Sequence, residues 1–436
     1  MRAMVVGAGP AGLMLGGGLA GLGAEVVVVD RDGGPGRDGT WDRRGVMQFG
    51  HAHGFRPQVA RVLGARWPAA LATWRAAGAE PVEIDVPGLG PVSGGMLSRR
   101  IVVERALRTA AARTSGLDVR QGAVQQLVER GGRVVGARVD GRVVEADLVV
   151  DATGRSGRLG RSGTVLGGDC GIAYVNRTYR LRPGAERGPM SSPIAWFGAF
   201  DGYLVIVFPH ERGHFSVVFV RPTADVALRE LRHDVVFDAA CRAVPALAVW
   251  TDPERSVPTG PATAGGALRN TYHPQRLVPG LVSVGDAVAT TAPTAGRGVA
   301  MAAMQVDELL RLLGEDPAGA ASVAEPFGAW ADRQIRPWVA DHVTMDDAAA
   351  LRWQGHDVDL SQPLPSDLVV AAAEVEPRLQ PYVGPYAMMA ALPASLAPVE
   401  PLAREVYRGG WRPAHAEGPN RDRLAEIIED AHSAAA

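Results

Sequence analysis

The 436-residue chain contains no lysine, so all 45 of its basic side chains are arginine. This absence excludes lysine-dependent phosphate loops and enzymes that use a lysine amine as nucleophile, acid or base. Two cysteines, Cys170 and Cys241, are too few for a disulfide framework or for a zinc site built on paired cysteines. We therefore expect a cytoplasmic protein in a reducing compartment.

The chain also lacks an excess of charge of one sign, since 45 basic residues stand against 47 acidic ones. A basic surface for nucleic acid is therefore not expected. The uncharged stretch 3–24 contains eight glycines, among them Gly7, Gly9 and Gly12, which is untypical of a membrane-spanning helix or a signal peptide. We expect no membrane span.

The first 30 residues have the pattern of a βαβ unit. An apolar strand at 3–6 is followed by Gly7-Ala8-Gly9-Pro10-Ala11-Gly12, an apolar helix and a strand at 25–29 that ends at Asp30. Glycines at this spacing let the backbone approach a pyrophosphate at a helix N-terminus, and an acid near the position of Asp30 binds the ribose. The unit predicts an adenine dinucleotide site; a glycine-rich turn without ligand is the alternative.

A second motif, near residue 285, distinguishes FAD from NAD. A strand at 281–284 ends in Gly285-Asp286, and Pro293-Thr294-Ala295-Gly296-Arg297-Gly298 precedes a helix predicted from Gly298 to Leu313. The carboxylate can accept hydrogen bonds from a ribityl chain, which FAD has and NAD lacks. Small residues let the backbone approach a flat ring, and a helix N-terminus stabilises negative charge on a reduced flavin. An ordinary capped helix is the alternative.

The segments between these motifs predict an inserted domain. Residues 203–208 and 214–220 are apolar, β-branched and aromatic runs on either side of a turn, as in a β-hairpin. We expect an α/β protein: a Rossmann-like FAD-binding domain, an inserted antiparallel-sheet substrate domain and a helical C-terminal region. The predicted boundaries are 1–165 and 271–330 for the FAD-binding domain, 166–270 for the substrate domain and 331–436 for the C-terminal region, with 67–95 as a segment that can join the substrate domain.

Three motifs in combination resemble FAD-dependent monooxygenases of the para-hydroxybenzoate hydroxylase fold. They are the glycine turn at 7–12, the run Asp147-Leu148-Val149-Val150-Asp151-Ala152-Thr153-Gly154-Arg155-Ser156, and Gly285-Asp286 with Pro293, Gly296 and Gly298. They come in the family's order across about residues 1–315. The run Arg44-Gly45-Val46-Met47-Gln48-Phe49-Gly50-His51-Ala52-His53 is similar to a segment of the branch that contains polyketide epoxidases and tailoring hydroxylases, with Met47 in place of a proline.

The resemblance implies a set of cofactor contacts. It places the pyrophosphate at Gly7, Gly9 and Gly12, the adenosine ribose at Asp30, the flavin phosphates at Arg100, the adenine at the backbone of Val124, the ribityl chain at Asp286 and the isoalloxazine at Pro293, Gly296 and Gly298. The predicted cofactor-binding set also contains Ala11, Arg31, Arg44, Gln48, Asp151 and Gly285. His51 and His53 alternate like a metal pair, but no further ligand at suitable spacing accompanies them, so no metal is predicted.

The resemblance also implies the chemistry. In this family NADPH or NADH reduces FAD, and a flavin C4a-hydroperoxide delivers one atom of O2 to the substrate. We expect hydroxylation or epoxidation of a hydrophobic secondary-metabolite substrate, by a monomer or homodimer, with reduction on this chain or by a separate flavin reductase left open. No protein nucleophile is expected, because the cofactor carries the reactive oxygen.

Three other functions are compatible with a flavin-binding fold. Flavin-dependent halogenases of this fold relay hypohalous acid through a lysine, and this chain has none. An FAD-dependent reductase or dehydrogenase of a prenyl or ring substrate is one alternative, and a non-catalytic flavin-binding protein is the other. The catalytic residues are not assigned from the sequence.

Overall fold

The computed structural model describes residues 1–36, 38–43, 45–86, 90–157, 159–161, 163–164 and 166–435. In chain order the strands are β1 (Arg2–Val6), β2 (Glu25–Asp30), β3 (Glu80–Val86), β4 (Gly90–Leu97), β5 (Leu117–Gln121), β6 (Val124–Arg130), β7 (Arg133–Val139), β8 (Arg142–Glu145), β9 (Leu148–Asp151), β10 (Leu166–Asp169), β11 (Ile172–Leu181), β12 (Trp196–Phe200), β13 (Tyr203–Pro209), β14 (His214–Pro222), β15 (Ser256–Pro258), β16 (Thr263–Gly265), β17 (Arg269–Tyr272), β18 (Leu281–Ser283) and β19 (Ala289–Thr290).

The α-helices are α1 (Pro10–Gly21), α2 (Pro57–Arg66), α3 (Pro68–Ala76), α4 (Arg100–Ala111), α5 (Asp234–Ala243), α6 (Pro245–Thr251), α7 (Gly298–Glu315), α8 (Ala324–Gln334), α9 (Arg336–Trp353), α10 (Ser366–Ala372), α11 (Gln380–Ala387), α12 (Glu400–Arg408) and α13 (Arg421–Ala435). Short 3-10 helices lie at Met47–Gly50, Gly154–Ser156, Glu211–Gly213, Ala227–Arg232, Gly285–Ala287, Pro293–Ala295, Pro317–Ala321, Pro377–Leu379 and Pro393–Leu396. No helix among the described residues is both long and apolar enough to cross a bilayer.

A five-stranded parallel sheet, in the order β18-β9-β1-β2-β5, forms the centre of the first domain. Its strands are apolar on both faces because both faces are covered. In β1, Ala3 and Val5 pack in the cluster that contains α1, α4 and α7. Met4 and Val6 pack on the opposite side, against the small sheet of β6, β7 and β8. The sheet thus places the carboxyl ends of its five strands along one edge, where ligands of such folds bind.

The second sheet is antiparallel and lies between β9 and β18 in the chain. Its order is β12-β13-β14-β11-β15, with β16 also beside β11. Alternate residues face opposite sides, as in any strand. In β13, Tyr203 and Val205 pack in a core with α5, α6 and α13, whereas Ile206 and Phe208 line a cleft. The aromatic and apolar side chains of this sheet are therefore divided between core and cleft, as the alternation predicts.

The segment 67–97 contains α3 and the hairpin of β3 and β4, which were not predicted from the sequence. Trp67, Trp74 and Met96 are buried in the cluster that covers the parallel sheet. These three side chains pack on the first domain, whereas Glu80 of β3 accepts hydrogen bonds from Arg187 and from the backbone N–H of Arg212, which belong to the inserted region. The division of the chain at residues 165, 270 and 330 stays a prediction.

The C-terminal region is helical, and its last helix returns to the second sheet. Helices α9–α12 share a cluster that includes Trp338 and Tyr407. In α13, Leu424 and Ile428 are buried in the core of the antiparallel sheet instead. The expected fold class is confirmed: a parallel-sheet domain, an inserted antiparallel sheet and a helical C-terminal region.

Replacing Leu424 by alanine tests the docking of α13. The side chain is 0% exposed, so the variant leaves a cavity and should lower the free energy of unfolding by about 2–5 kcal/mol. The measurement is urea denaturation followed by circular dichroism. Val226→Ala, at a side chain that is 71% exposed, is the control and should change stability by less than about 0.5 kcal/mol. Equal denaturation midpoints for the two variants would contradict this packing.

Candidate functional site

One cleft of about 980 Å³ lies along the carboxyl edge of the parallel sheet and reaches the antiparallel sheet. It brings together segments that are almost 280 residues apart, around Gly9 and Asp286. Most of the predicted cofactor residues line it: Gly7, Gly9, Ala11, Asp30, Arg31, Gln48, Arg100, Val124, Asp286, Pro293, Gly296 and Gly298. Gly12, Asp151 and Gly285 are not in its wall, and Arg44 lies outside the described residues.

The glycine turn between β1 and α1 combines two tight contacts with one open position. Gly7 has a φ of 110°, and a Cβ there would lie 2.3 Å from the carbonyl oxygen of Ala152. A Cβ on Gly12 would lie 1.9 Å from the carbonyl oxygen of Gly7. At Gly9 the nearest atom to a Cβ would be Nη1 of Arg43, 3.9 Å away. Gly7 and Gly12 are needed to close the turn. Gly9 leaves room for a ligand at the N-terminus of α1, where no side chain caps the helix.

A buried chain of charged side chains lies beside this turn. The carboxylate of Asp30 accepts hydrogen bonds from the backbone N–H of Ala8 at 2.6 Å and from Nη2 of Arg43 at 2.7 Å. Arg43 also pairs with Glu104, which accepts a hydrogen bond from Nε of Arg100 at 2.5 Å. Arg43 is 5% exposed and Glu104 is fully buried. Each charge is therefore neutralised by its neighbours inside the protein.

The carboxylate of Asp30 keeps acceptor capacity toward the cleft. Besides Ala8 and Arg43, its oxygens accept a hydrogen bond from the backbone N–H of Asp32 at 2.9 Å. A carboxylate offers about four acceptor positions, so one stays open for a hydroxyl group. This fits the binding of a ribose.

Arg43 is a cleft residue that was not predicted from the sequence, whereas its neighbour Arg44, which was predicted, lies outside the described residues. Burial alone would lower the pKa of Arg43, but the carboxylates of Glu104 and Asp30 outweigh burial and the pKa is raised. A signal for it existed in the sequence, because Glu104 lies on the apolar face of α4. A carboxylate in that position needs a buried cation as a partner.

Asp151 was predicted to bind the cofactor, but the structure places it beneath the cleft. Its side chain is fully buried and accepts hydrogen bonds from the backbone N–H groups of Thr153 at 3.0 Å and Gly160 at 2.9 Å, and from the Thr153 hydroxyl at 2.6 Å. These donors belong to the loop after β9, and they use the acceptor capacity of the carboxylate. Asp151 therefore shapes the loop, whereas Thr153 and Arg155 of that loop line the cleft.

Gly285 was also predicted to bind the cofactor, and it too is buried beneath the wall. Its φ is 68°, a Cβ there would lie 2.9 Å from Cβ of Ala11, and its N–H donates to Oε1 of Gln305 at 2.8 Å. Gly285 thus packs the second motif directly against α1. The contact explains how two distant segments share one cleft.

The side chain of Asp286 differs from those of Asp30 and Asp151 in having no hydrogen-bond donor among the described residues. It lines the cleft, and no described residue donates a hydrogen bond to its carboxylate. Burial raises the pKa of Asp286, and the positive charges of Arg100 and Arg155 oppose this rise. A partly buried carboxylate without donors fits the hydroxyl groups of a ribityl chain, which would supply them.

His53 lines the cleft next to Arg100. Its Nδ1 is 2.9 Å from the carbonyl oxygen of His51, and its Nε2 is 3.4 Å from Nη1 of Arg100. Burial, together with the charge of Arg100, lowers the pKa of His53 to about 3, so the ring is neutral near pH 7. No described residue forms a group of three metal-ligating side chains with His51 or His53.

The antiparallel sheet supplies an apolar wall to the cleft. The wall contains Tyr174, Ile206, Phe208, Val218, Val220 and Leu268. A smaller cavity of about 120 Å³ adjoins it and shares His53, Gly54, Phe208, Thr294 and Gly296 with the cleft. Phe197, which is 42% exposed, lines this second cavity, and its ring centroid lies 6.4 Å from that of Phe208. The arrangement fits an apolar molecule beside a flat ring.

The turn at Pro293–Ala295 is held from behind by the C-terminal region. Arg297 is buried and pairs with Asp341 at 2.7 Å, and its guanidinium carbon lies 4.8 Å from the ring centroid of Trp338. On the other side of the turn, Nη2 of Arg56 donates to the carbonyl oxygen of Ala295 at 2.6 Å. The side chain of Arg297 is thus used for anchoring and does not line the cleft.

These features fit FAD better than a shorter nucleotide. Beyond the open position at Gly9, a Cβ at Gly298 would meet no atom within 4 Å, although Gly298 lines the cleft. The cleft therefore has space without side chains at both of its ends, at Gly9 and at Gly298. Asp286 lies between the turn before α1 and the N-terminus of α7. An extended molecule with a pyrophosphate, a ribityl chain and a flat ring matches this order.

Comparisons with known proteins show a similarity of fold. The model of the lycopene cyclase protein family matches residues 3–168, which is less than half of the chain. No curated protein sequence matches the chain. Several solved structures do, although their sequences are only distantly similar.

The flavin-dependent brominase Bmp2 has a TM-score of 0.63 at 14% identity, over 94% of this chain and 99% of that chain. PqsL of P. aeruginosa, in complex with 2-aminobenzoylacetate, has a TM-score of 0.58 at 17% identity, over 80% and 96%. The myxobacterial chondrochloren halogenase CndH, an FAD-dependent enzyme, has a TM-score of 0.56 at 16% identity, over 99% and 96%. At these identities the likeness is one of fold.

Buried histidines predict a fall in stability on acidification. Burial lowers the pKa from 6.5 to about 4 in His51 and about 3 in His53 and His210, and well below 6.5 in His342. Below about pH 6.5 the unfolded chain binds these protons and the folded chain does not. Stability should therefore fall from about pH 6.5 toward pH 4, by up to about 1.4 kcal/mol per pH unit for each histidine.

The measurement is urea denaturation between pH 7.5 and pH 5. Burial raises the pKa of Asp346 to about 6 and also raises the pKa values of Asp286 and Asp367, so these three carboxyl groups act in the opposite sense as the pH falls. His342→Leu removes a ring whose two nitrogens have no hydrogen-bond partner among the described residues. The variant should reduce the slope of the unfolding free energy against pH by the equivalent of about one proton. The exposed His356→Ala is the control. An unchanged slope in His342→Leu would contradict the claim that His342 takes up a proton only on unfolding.

Proposed function

We propose that this chain, which has the fold of the FAD-dependent monooxygenases and halogenases of the para-hydroxybenzoate hydroxylase type, is an FAD-dependent monooxygenase. The observation that carries the proposal is the single cleft whose wall joins the glycine turn, the open carboxylate of Asp286 and the apolar side of the antiparallel sheet. The fold supports a flavoprotein oxidoreductase, and the wall supports a substrate next to the flavin.

The proposed contacts follow the cleft from end to end. The backbone at Gly9 and Ala11 would hold the pyrophosphate, and Asp30, oriented by Arg43, would hold the adenosine ribose. Asp286 would accept hydrogen bonds from the ribityl chain, and the backbone from Pro293 to Gly298 would lie against the isoalloxazine. When bound, FAD takes electrons from NADPH or NADH and activates O2 for transfer of one oxygen atom.

The wall proposed to lie beside the flavin ring on the side of the antiparallel sheet is apolar, and the charge of Arg100 lies next to it at His53. Ile206, Phe208 and Val218 form the apolar wall, and His53 is neutral near pH 7. A dry site favours oxygen transfer over loss of the activated oxygen to water. We therefore propose hydroxylation or epoxidation of a hydrophobic secondary-metabolite substrate.

Two competing activities have specific observations behind them. Halogenases are among the similar structures, but the chain has no lysine to relay a hypohalous acid. The match to the lycopene cyclase model supports the alternative of a flavoprotein that acts on a prenyl substrate. Turnover of a prenyl substrate without oxygen would favour that alternative.

We further propose a cytoplasmic monomer or homodimer. The free cysteines, Cys170 and Cys241, are both buried, as suits a reducing compartment. Whether NADPH or NADH reduces FAD on this chain, or a separate flavin reductase does so, is decided by assaying the purified protein with and without such a reductase.

Gly9→Val tests the cofactor site without disturbing the turn. The Cβ would enter open space, so the variant should fold with an unchanged unfolding temperature of the FAD-free protein but lose FAD binding. The measurement is flavin absorbance after incubation with FAD and gel filtration. Gly260→Val, where a Cβ also meets no atom within 4 Å, is the control because Gly260 is outside the cleft. Full FAD uptake by Gly9→Val would refute this site.

Isotope labelling tests the reaction. With bound FAD, NADPH or NADH and a candidate polyketide or aromatic substrate under ¹⁸O₂, one ¹⁸O atom should enter the product, and substrate should accelerate nicotinamide oxidation. Label that comes from H₂¹⁸O instead would exclude a monooxygenase. A purified chain that takes up no FAD would exclude every flavin-dependent function.

A further inference from the structure

A group of metal-ligating side chains lies on the antiparallel-sheet domain, outside the cleft wall. Glu230 belongs to the 3-10 helix Ala227–Arg232, His233 follows that helix directly, and His432 lies in the last turn of α13. Oε2 of Glu230 is 3.1 Å from Nε2 of His233 and 3.9 Å from Nδ1 of His432. The ligand atoms of all three residues lie within 4.8 Å of one another.

We propose that Glu230, His233 and His432 bind a zinc ion. Two imidazoles and one carboxylate are ligands that Zn²⁺ prefers, at about 2.0–2.2 Å, and in a tetrahedral site such atoms lie about 3.3 Å apart. The distances of 3.1 and 3.9 Å are close to this spacing. All three side chains are partly exposed, so small rotations bring the atoms into place and leave a fourth position for water.

The position of the site gives it a structural role. At the start of α13, Arg421 forms two hydrogen bonds with Asp225, at 2.8 and 3.0 Å. In the middle of the helix, Leu424 and Ile428 are buried in the core of the sheet. At its end, His432 faces Glu230. A zinc ion would therefore fix the last turn of α13 to the same domain that holds its first turn.

Arg232 competes with a metal at this site. Its Nε lies 3.3 Å from Nε2 of His233, and its Nη2 lies 3.3 Å from Oε1 of Glu230. A guanidinium in this place offers donors to the atoms that would bind zinc and repels a cation. Zinc binding therefore has to displace it, and removal of Arg232 should strengthen binding.

Isothermal titration of the full-length chain, free of any purification tag, with ZnCl₂ tests the proposal. We expect one ion per chain, and a rise in unfolding temperature with zinc. Glu230→Gln and His432→Ala should each weaken binding at least about tenfold, and Arg232→Ser should tighten it. His415→Ala, at an exposed histidine elsewhere, is the matched control, and Mg²⁺ is the control ion.

Circular dichroism and unfolding temperatures without zinc establish that each variant is folded, which is expected because the changed side chains are partly exposed. Absence of saturable zinc binding by the wild-type chain overturns the proposal. Equal affinity of the wild type and His432→Ala overturns it as well, because zinc would then bind elsewhere. Equal affinity of the wild type and Arg232→Ser would overturn the competition assigned to Arg232.

Discussion

The cleft depends on a place where three backbone segments meet with no side chain between them. The carbonyl oxygen of Ala152, after β9, occupies the space that a Cβ of Gly7 would take, and the carbonyl oxygen of Gly7 does the same to Gly12. The hydrogen bond from the N–H of Gly7 to the carbonyl oxygen of Val29, at 2.7 Å, ties β2 to the same turn. These contacts fix the start of α1 over the strand ends, so its free N–H groups face the cleft. Any larger residue at Gly7 or Gly12 would separate these segments.

Carboxylates at the strand ends show how one residue type serves two purposes. The carboxylate of Asp151 accepts hydrogen bonds from a loop, and these occupy its acceptor positions. The carboxylate of Asp286 accepts no hydrogen bond from the described residues. Asp30 is intermediate, since Arg43 and the backbone orient it but leave one acceptor position. Burying Arg43 is tolerable because Glu104 pairs with it, and removing one partner of such a pair costs about 3–5 kcal/mol. The charge network therefore belongs to the fold as much as to ligand binding.

The sequence predicted those parts of the site that are formed by residues close together in the chain. Residues of the turn at Gly7–Gly12 and of the stretch from Asp286 to Gly298 line one cleft, and in each stretch the strand, turn and helix are consecutive. Arg43 was not predicted because its place in the site depends on Glu104, which is 61 residues away, and the predicted Arg44 lies outside the described residues. The burial of Asp151 was missed for a similar reason, since the sequence does not show which backbone N–H groups fold back onto it.

The C-terminal region shows why a stretch without motifs can still bear on the site. Among the described residues, none beyond Ala302 lines the cleft, and the alanine-rich helices contain no motif that indicates a function. Yet Arg297, one residue before α7, is a buried cation and needs a partner, which Asp341 of α9 supplies. Trp338 and Tyr386 hold the guanidinium at 4.8 and 5.0 Å from their ring centroids. Because Arg297 continues directly into the helix that begins at Gly298, the packing of α9 and α11 sets the position of the backbone proposed to face the flavin.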